Sequence, residues 1–269
     1  MTKQLKVMMV GDVMGRPGRR AIVSLLKNIR KEHSLDYIIV NGENTAGGFG
    51  ITQKLTSDFY NAGVDVITMG NHVWANKDIY NFINHADRLI RPNNFPEGTP
   101  GHGYCLYQAD DKPLIGVINI MGRINMSVLP CPFRSAAAAI EIIKKTTPLI
   151  FIDFHSETTS EKIAMGWYLD GSATALAGTH THVQTADERI LPNGTAYITD
   201  LGMTGPFDSV IGMHKKNVLK HFLSNMPFPF SVAREDVKLH GIIITADIES
   251  GKALQVERIS VSLPDDEHV

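Results

Sequence analysis

Several unbroken apolar runs in this 269-residue chain each close on a glycine or a histidine within a polar cluster. LKVMMVG (5–11), DYIIVNG (36–42) and VDVITMG (64–70) are continuous rather than alternating, as in strands covered on both faces. Amphipathic stretches separate them. Pro17 suits the first turn of a helix, and Ile22, Leu25, Leu26 and Ile29 recur on one helical face. Thr52 is placed to cap a helix carrying Leu55, Phe59 and Tyr60, and Asn76 to cap one carrying Ile79, Phe82 and Ile83. Strand, helix, strand, helix, strand predicts a parallel sheet with covering helices.

The remainder is more strand-rich. HGYCLYQA (102–109) and PLIGVINIM (113–121) read as paired strands around a turn at 110–113, residues 136–145 as a helix, and PLIFIDFH (148–155) as a buried strand. ATALAGT (173–179) is a further short strand, and RILPNGTAYIT (189–199) folds back at Asn193 and Gly194. LHGIIITADIE (239–249) and ALQVERISVSL (253–263) form a terminal hairpin. These later strands suggest a second sheet packed on the first. The expected fold class is α/β, with two packed mixed sheets flanked by helices, in a single domain over 1–269. The acidic tail at Asp265, Asp266 and Glu267 is expected to fray.

Composition narrows the function classes. Lys plus Arg is 26 against 28 Asp plus Glu, a net charge of −2, so the chain lacks the overall basic excess usual in duplex-binding proteins. Arg16, Arg19, Arg20, Lys27 and Arg30 read as a solvated helix face. A single-nucleotide substrate fits this balance. Two cysteines, Cys105 and Cys131, build neither a disulfide framework nor a zinc motif and are expected to be small buried hydrophobes. No signal-peptide pattern opens the chain, and no apolar run nears the ~20 residues of a membrane span. A cytoplasmic location and no membrane partner are expected. Trp74, Phe228 and Phe230 leave a homo-oligomer open.

The chemistry is suggested by where the polar clusters fall. Strand one ends at Gly11 and Asp12, strand two at Asn41, Gly42, Glu43 and Asn44, and strand three at Gly70, Asn71 and His72. His155 closes the fourth run, and His180, Thr181 and His182 follow the fifth. The carboxyl ends of parallel strands share one edge, so these residues should meet. Individually each has an ordinary reading: Asp12 as a turn residue, Asn71 as a turn stabiliser, His155 as a satisfied buried histidine. Together they supply carboxylates, amides and imidazoles, which suit Zn, Mn or Fe.

Gly11–Asp12, Gly42–Glu43–Asn44, Gly70–Asn71–His72, His155 and Gly178–Thr179–His180–Thr181–His182 resemble the motifs of the calcineurin-like metallophosphoesterases. Within them the chain is most similar to the YmdB-like branch, with VNGENTAGGFG, MGNHVW, INIMGR, FIDFHSE, AGTHTHVQTAD and ITDLGMTGP as further matching segments. The resemblance spans essentially the whole chain. It implies an α/β/β/α metallophosphoesterase sandwich and two divalent or mixed-valence transition metal ions, Fe or Mn first and Zn next. Metal one would take Asp12, Glu43, Asn44 and His182, and metal two Glu43, Asn71, His155 and His180, with Glu43 bridging. The general pattern's histidine two residues after Asp12 is here Met14, and Val73 stands where an acid is usual after Asn71 and His72. In this branch Asn44 would replace the missing histidine.

A metal pair of this kind activates a water near neutral pH and stabilises charge on phosphoryl oxygens. The resemblance therefore implies a phosphodiesterase working by metal-bound hydroxide attack, with 2′,3′-cyclic nucleotides the favoured substrates and His72 the catalytic acid. The expected partner is a small phosphodiester or nucleotide, RNA ends included. The alternative is a metal-binding regulatory scaffold with little turnover. A phosphate-loop protein is disfavoured, because Gly11, Gly15 and Gly18 are not followed by Lys–Ser or Lys–Thr.

Overall fold

The computed structural model describes residues 3–264; the acidic tail at 265–267 lies outside them. In chain order the elements are β1 (Gln4–Val10), β2 (Asp12–Val13), α1 (Gly15–His33), β3 (Tyr37–Asn41), α2 (Gln53–Asn61), β4 (Val66–Thr68), β5 (Leu89–Ile90), β6 (Tyr104–Tyr107), β7 (Ile115–Met121), α3 (Pro132–Ile143), β8 (Ile150–His155), α4 (Thr159–Leu169), β9 (Ala175–Thr179), β10 (Arg189–Ile190), β11 (Ala196–Ile198), β12 (Met203–Pro206), α5 (Lys215–Ser224), β13 (Val237–Asp247) and β14 (Ala253–Ser262).

Among the described residues the strands form two sheets. The first is ordered β2-β12-β13-β1-β3-β4-β5 with β14 against β13, and the second β10-β11-β9-β8-β7-β6. β1, β3, β4 and β5 are parallel neighbours, as are β7, β8, β9 and β11. Leu5, Val7, Met9, Tyr37 and Ile39 of the first sheet share a core with Val117, Phe151, Ala175, Ala177 and Ile198 of the second. Ile22, Leu26 and Ile29 of α1 and Phe59 of α2 cover the first sheet's outer face. Ala136, Ala139 and Ile140 of α3, with Met165 of α4, cover the outer face of the second. The layers therefore run helix, sheet, sheet, helix. The apolar runs are continuous because most strands touch a core on each side.

Several local expectations hold. Thr52 caps α2 by accepting from Leu55 N–H at 3.3 Å, and β6 and β7 pair antiparallel. Others need correction. The terminal hairpin joins the first sheet, with residues 241–247 of β13 antiparallel to all of β1, because β13 is buried on both faces and covers the edge of β1 that β3 leaves open. The helix expected after Asn76 is two 3₁₀ turns, Lys77–Asn81 and Ile83–His85. Asn76 accepts from Asp78 N–H two residues on, a local turn that competes with the longer α-helical cap. α3 starts four residues before the expected 136, with Pro132 in its first turn. Cys105 is buried, but Cys131 is half-exposed as the residue preceding α3; neither is in a disulfide. Trp74 is not an open surface residue: it stacks on Tyr80 at 5.3 Å and packs on Phe95. No helix among the described residues is long and apolar enough to cross a membrane.

Candidate metal centre

The site lies where the carboxyl ends of both sheets' parallel strands meet. β1 delivers Gly11, which packs so tightly on the Gly202 carbonyl that any side chain would collide with it. The next residue, Asp12, is fully buried. Its Oδ2 accepts from the His180 backbone N–H at 3.1 Å. After β3 the chain turns at 42–50, pinned by Gly50 N–H donating to the Glu43 carbonyl at 2.5 Å and by Asn44 Nδ2 donating to the Gly48 carbonyl at 2.9 Å. Gly47, Gly48 and Gly50 adopt φ of 68°, 105° and 74°, conformations open to glycine but strained for other residues. The turn presents Glu43 and Asn44 inward, both buried.

Three groups converge on one nitrogen. His155 Nε2 lies 3.1 Å from Glu43 Oε1, 2.8 Å from Asn71 Oδ1 and 3.0 Å from His180 Nδ1. One imidazole proton cannot serve three neighbours, whereas a cation can. Ligand atoms of Glu43, His155 and His180 lie within 4.8 Å of one another. Gly70 makes room for this cluster, since a methyl there would strike Glu43 Oε2 and His155 Nε2. On the other side, Asp12 Oδ1 stands 4.0 Å from His182 Nε2 and 3.8 Å from His155 Nδ1. His182 is oriented through Nδ1, 2.9 Å from the Ile211 carbonyl.

The fit of a metal rests on two orphaned atoms. Asp12 Oδ1 and Asn44 Oδ1 are buried without a hydrogen-bond partner. Burying such an acceptor unsatisfied costs about 1–3 kcal/mol, and both oxygens belong to the side chains expected to hold metal one. The donor set of carboxylate, amide oxygen and imidazole suits a transition metal. Met14, standing where the wider superfamily has a histidine, is buried against Gly48 and Gly212, filling apolar space under the turn.

Electrostatics agree. Burial pushes the Asp12 carboxyl up to about 6, against the pull of His182 and His155. Burial also opposes ionisation of Glu43, but the charge and hydrogen bond of His155, with help from His72, bring it down to about 2. For His155, burial disfavours the charge, yet Glu43 and Asp12 raise it to about 9. Burial and the neighbouring His155 push His180 down to about 3. A proton on His155 thus partly neutralises two carboxylates, a task better suited to a cation.

His72 sits beside this cluster. Its backbone N–H donates to Glu43 Oε2 at 3.0 Å, and its ring meets Phe49 edge-on at 4.9 Å. Burial lowers its pKa, with Glu43 opposing.

The structure also shows supporting residues; of these the sequence suggests only Asp200, with Thr199, as a support around the ligands. Asp153, buried in mid-strand, accepts from Thr179 Oγ1 at 2.6 Å, Asn41 Nδ2 at 3.0 Å and the Thr68 hydroxyl. A charged residue inside the apolar run IFIDFH was the available signal. Glu157 Oε2 lies 3.0 Å from His180 Nε2. Asp200 and Lys162, both buried, pair at 2.6 Å behind the loop of His180 and His182; local sequence offers no signal for that pairing.

Comparison with known proteins gives concordant matches. A family model described as YmdB-like protein matches residues 8–259. A Bacillus subtilis (strain 168) protein named 2′,3′-cyclic-nucleotide 2′-phosphodiesterase is 47% identical over 265 residues, covering 98% of this chain and 99% of its own. The crystal structure of a hypothetical protein from Thermus thermophilus superposes with a TM-score of 0.90 at 37% identity, covering 97% of this chain and 100% of its own. A structure described as a novel phosphatase, from Mycoplasma pneumoniae, has a TM-score of 0.90 at 35% identity, covering 97% and 95%.

Proposed function

The chain belongs to the YmdB-like family, and from that membership we propose that it is a phosphoric ester hydrolase, a dinuclear-metal phosphodiesterase acting on 2′,3′-cyclic nucleotides. The observation that carries this reading is the convergence of Glu43, Asn71 and His180 on His155 beside the orphaned oxygens of Asp12 and Asn44. The name of the Bacillus subtilis relative supports the substrate class.

In this reading Asp12, Asn44 and His182 hold one cation, Asn71, His155 and His180 the other, and Glu43 both. Iron or manganese is the first assignment, with zinc the alternative, from the mixed oxygen and nitrogen donors. When bound, the pair supplies Lewis-acid polarisation of the phosphoryl oxygens and a water that ionises near neutral pH. The chain's own contribution is to position these ligands and a proton donor. The backbone N–H of His72 is fixed on Glu43 and its ring rests on Phe49, which holds the imidazole beside the cluster to protonate the departing ribose oxygen. Opening the O2′–P bond leaves the phosphate on O3′.

The test is hydrolysis of 2′,3′-cyclic AMP by the metal-loaded protein, with products separated by chromatography. Metal-dependent formation of the 3′-monophosphate is expected. No turnover of this substrate or of bis-p-nitrophenyl phosphate by a fully loaded sample would refute the reading.

A further inference from the structure

Arg16, Arg19, Arg20, Lys27 and Arg30 do more than decorate a helix. They line a groove of about 810 Å³ beside α1, closed on its far side by residues of α2, with Asp58 the one acid in its lining. A second cavity of about 630 Å³ shares Arg16, Arg19 and Arg20, adds Arg234 and reaches Gly47. Cationic side chains are thus gathered on one face of a chain whose net charge is −2. Arg30 has a structural task, bonding Asp65 and the carbonyls of Asp36 and Gly63. Arg16, Lys27 and Arg234 are exposed.

Three features set this face apart from an ordinary solvated one. Arg16, Arg19 and Arg20 crowd the first turns of α1, where no acid is present. That is the positive end of the helix dipole, and like charges three and four residues apart repel. Burial and Arg16 both lower the pKa of Arg19. Stability alone would place acids there; a bound anion would relieve the strain on the charges. The groove's helix is also tied to the turn that carries Glu43 and Asn44: Arg19 Nη1 donates to the Thr45 carbonyl at 2.6 Å, and Gly15 N–H to the Asn44 carbonyl at 2.9 Å. Phe230, 44% exposed, lines the second cavity among the arginines, the pairing of aromatic and cation that single-stranded nucleic acids favour.

We propose that this groove binds the sugar–phosphate backbone of a single-stranded RNA whose 2′,3′-cyclic phosphate end enters the metal centre. The inference rests on the phosphodiesterase reading above. A ribose 2′,3′-cyclic phosphate is the form in which an RNA chain can end, and the chain continues from that ribose as a string of phosphodiesters. From Arg16 to Lys27, α1 covers about 17 Å at 1.5 Å per residue, enough for a few nucleotides. Each phosphate neutralised by a cation adds salt dependence, roughly −0.7 in the slope of log affinity against log salt for a single strand.

The experiment compares kcat/KM for 2′,3′-cyclic AMP and for an RNA octamer ending in a 2′,3′-cyclic phosphate, across salt concentrations, in the metal-loaded wild type and an Arg16→Glu/Lys27→Glu variant. Wild type should prefer the octamer by roughly tenfold or more at low salt, the preference fading as salt rises. The variant should lose that preference, its salt slope shallower by about 1.4 for two lost contacts, while turnover of the mononucleotide is unchanged. Glutamate at position 16, in the first turn of α1, suits the helix dipole, and unchanged mononucleotide turnover shows that the double variant is folded. Equal kcat/KM for octamer and mononucleotide, or an unchanged preference in the variant, overturns the groove assignment. If neither substrate turns over, the phosphodiesterase reading fails, and fluorescence anisotropy with a labelled octamer ending in a 3′-hydroxyl decides the groove by itself. Salt-sensitive binding lost in the variant supports it, and absence of binding overturns it.

Discussion

Thr179 Oγ1 donates a 2.6 Å hydrogen bond to Asp153 Oδ1 while standing 2.9 Å from His155 Nδ1. A hydroxyl has one proton. With that proton committed to the carboxylate, the oxygen accepts from His155 Nδ1–H, and Nε2 is left to face Glu43, Asn71 and His180. The relay from Asp153 through Thr179 selects the imidazole nitrogen offered to a cation. Thr179→Val should lower metal affinity roughly 10- to 100-fold, the usual effect of removing a ligand's orienting partner, and Thr179→Ser should restore most of it. Titration calorimetry with Mn²⁺ measures this; unchanged affinity in the valine variant would dismiss the relay.

Lys162 and Asp200 form the buried ion pair behind the histidine loop. Asp200 Oδ2 also accepts from Thr181 N–H at 3.1 Å and its hydroxyl at 2.7 Å, and Oδ1 from Gly202 N–H at 2.8 Å. His180 and His182 adopt φ of 99° and 65°, costly for residues with a Cβ, so the loop depends on such anchors. Lys162→Met strands a buried carboxylate and should cost about 3–5 kcal/mol in denaturant unfolding. A loss below about 1 kcal/mol would place the pair among those of little consequence.

His72 touches the cluster through its backbone, so its ring is free for chemistry. His72→Ala should retain bound metal, read by elemental analysis, and lose about 10²- to 10⁴-fold in turnover. Normal turnover in a metal-replete variant would exclude the acid role.

His240 gives a pH dependence separate from the proposed metal ligands. Burial, with Lys238 adding to it, lowers its pKa from 6.5 to about 4, and its Nδ1 is buried without a partner. The unfolded chain therefore binds this proton more readily than the folded one between those values, so the group's contribution is intact above about 6.5 and is lost as pH falls towards 4. Replacing it by leucine should flatten the fall in stability across that window in urea titrations at several pH values. Parallel curves for both proteins would show that His240 does not titrate on unfolding.

Much of this architecture was legible locally. The unbroken runs ending at Gly11, Gly42, Gly70 and His155 reveal buried parallel strands and place their polar ends on one rim, and Thr52 announces its helix. What local pattern does not encode is long-range pairing. β13 and β14 read correctly as a hairpin, but nothing in their periodicity says that β13 lies along β1. α4 went unseen because its exposed Ile163, Trp167 and Tyr168 and its buried Glu161 and Lys162 blur the apolar stripe. The arginines of α1 look the same in sequence whether they face open water or a groove; the position of α2 decides.

Anomalous diffraction from crystals grown with Mn²⁺ addresses the central claim most directly. Two peaks are expected about 3.5–4 Å apart, one among Asp12, Asn44 and His182, the other among Asn71, His155 and His180, with Glu43 between them. A single peak, or none at these side chains in a protein that hydrolyses the cyclic nucleotide, would contradict it.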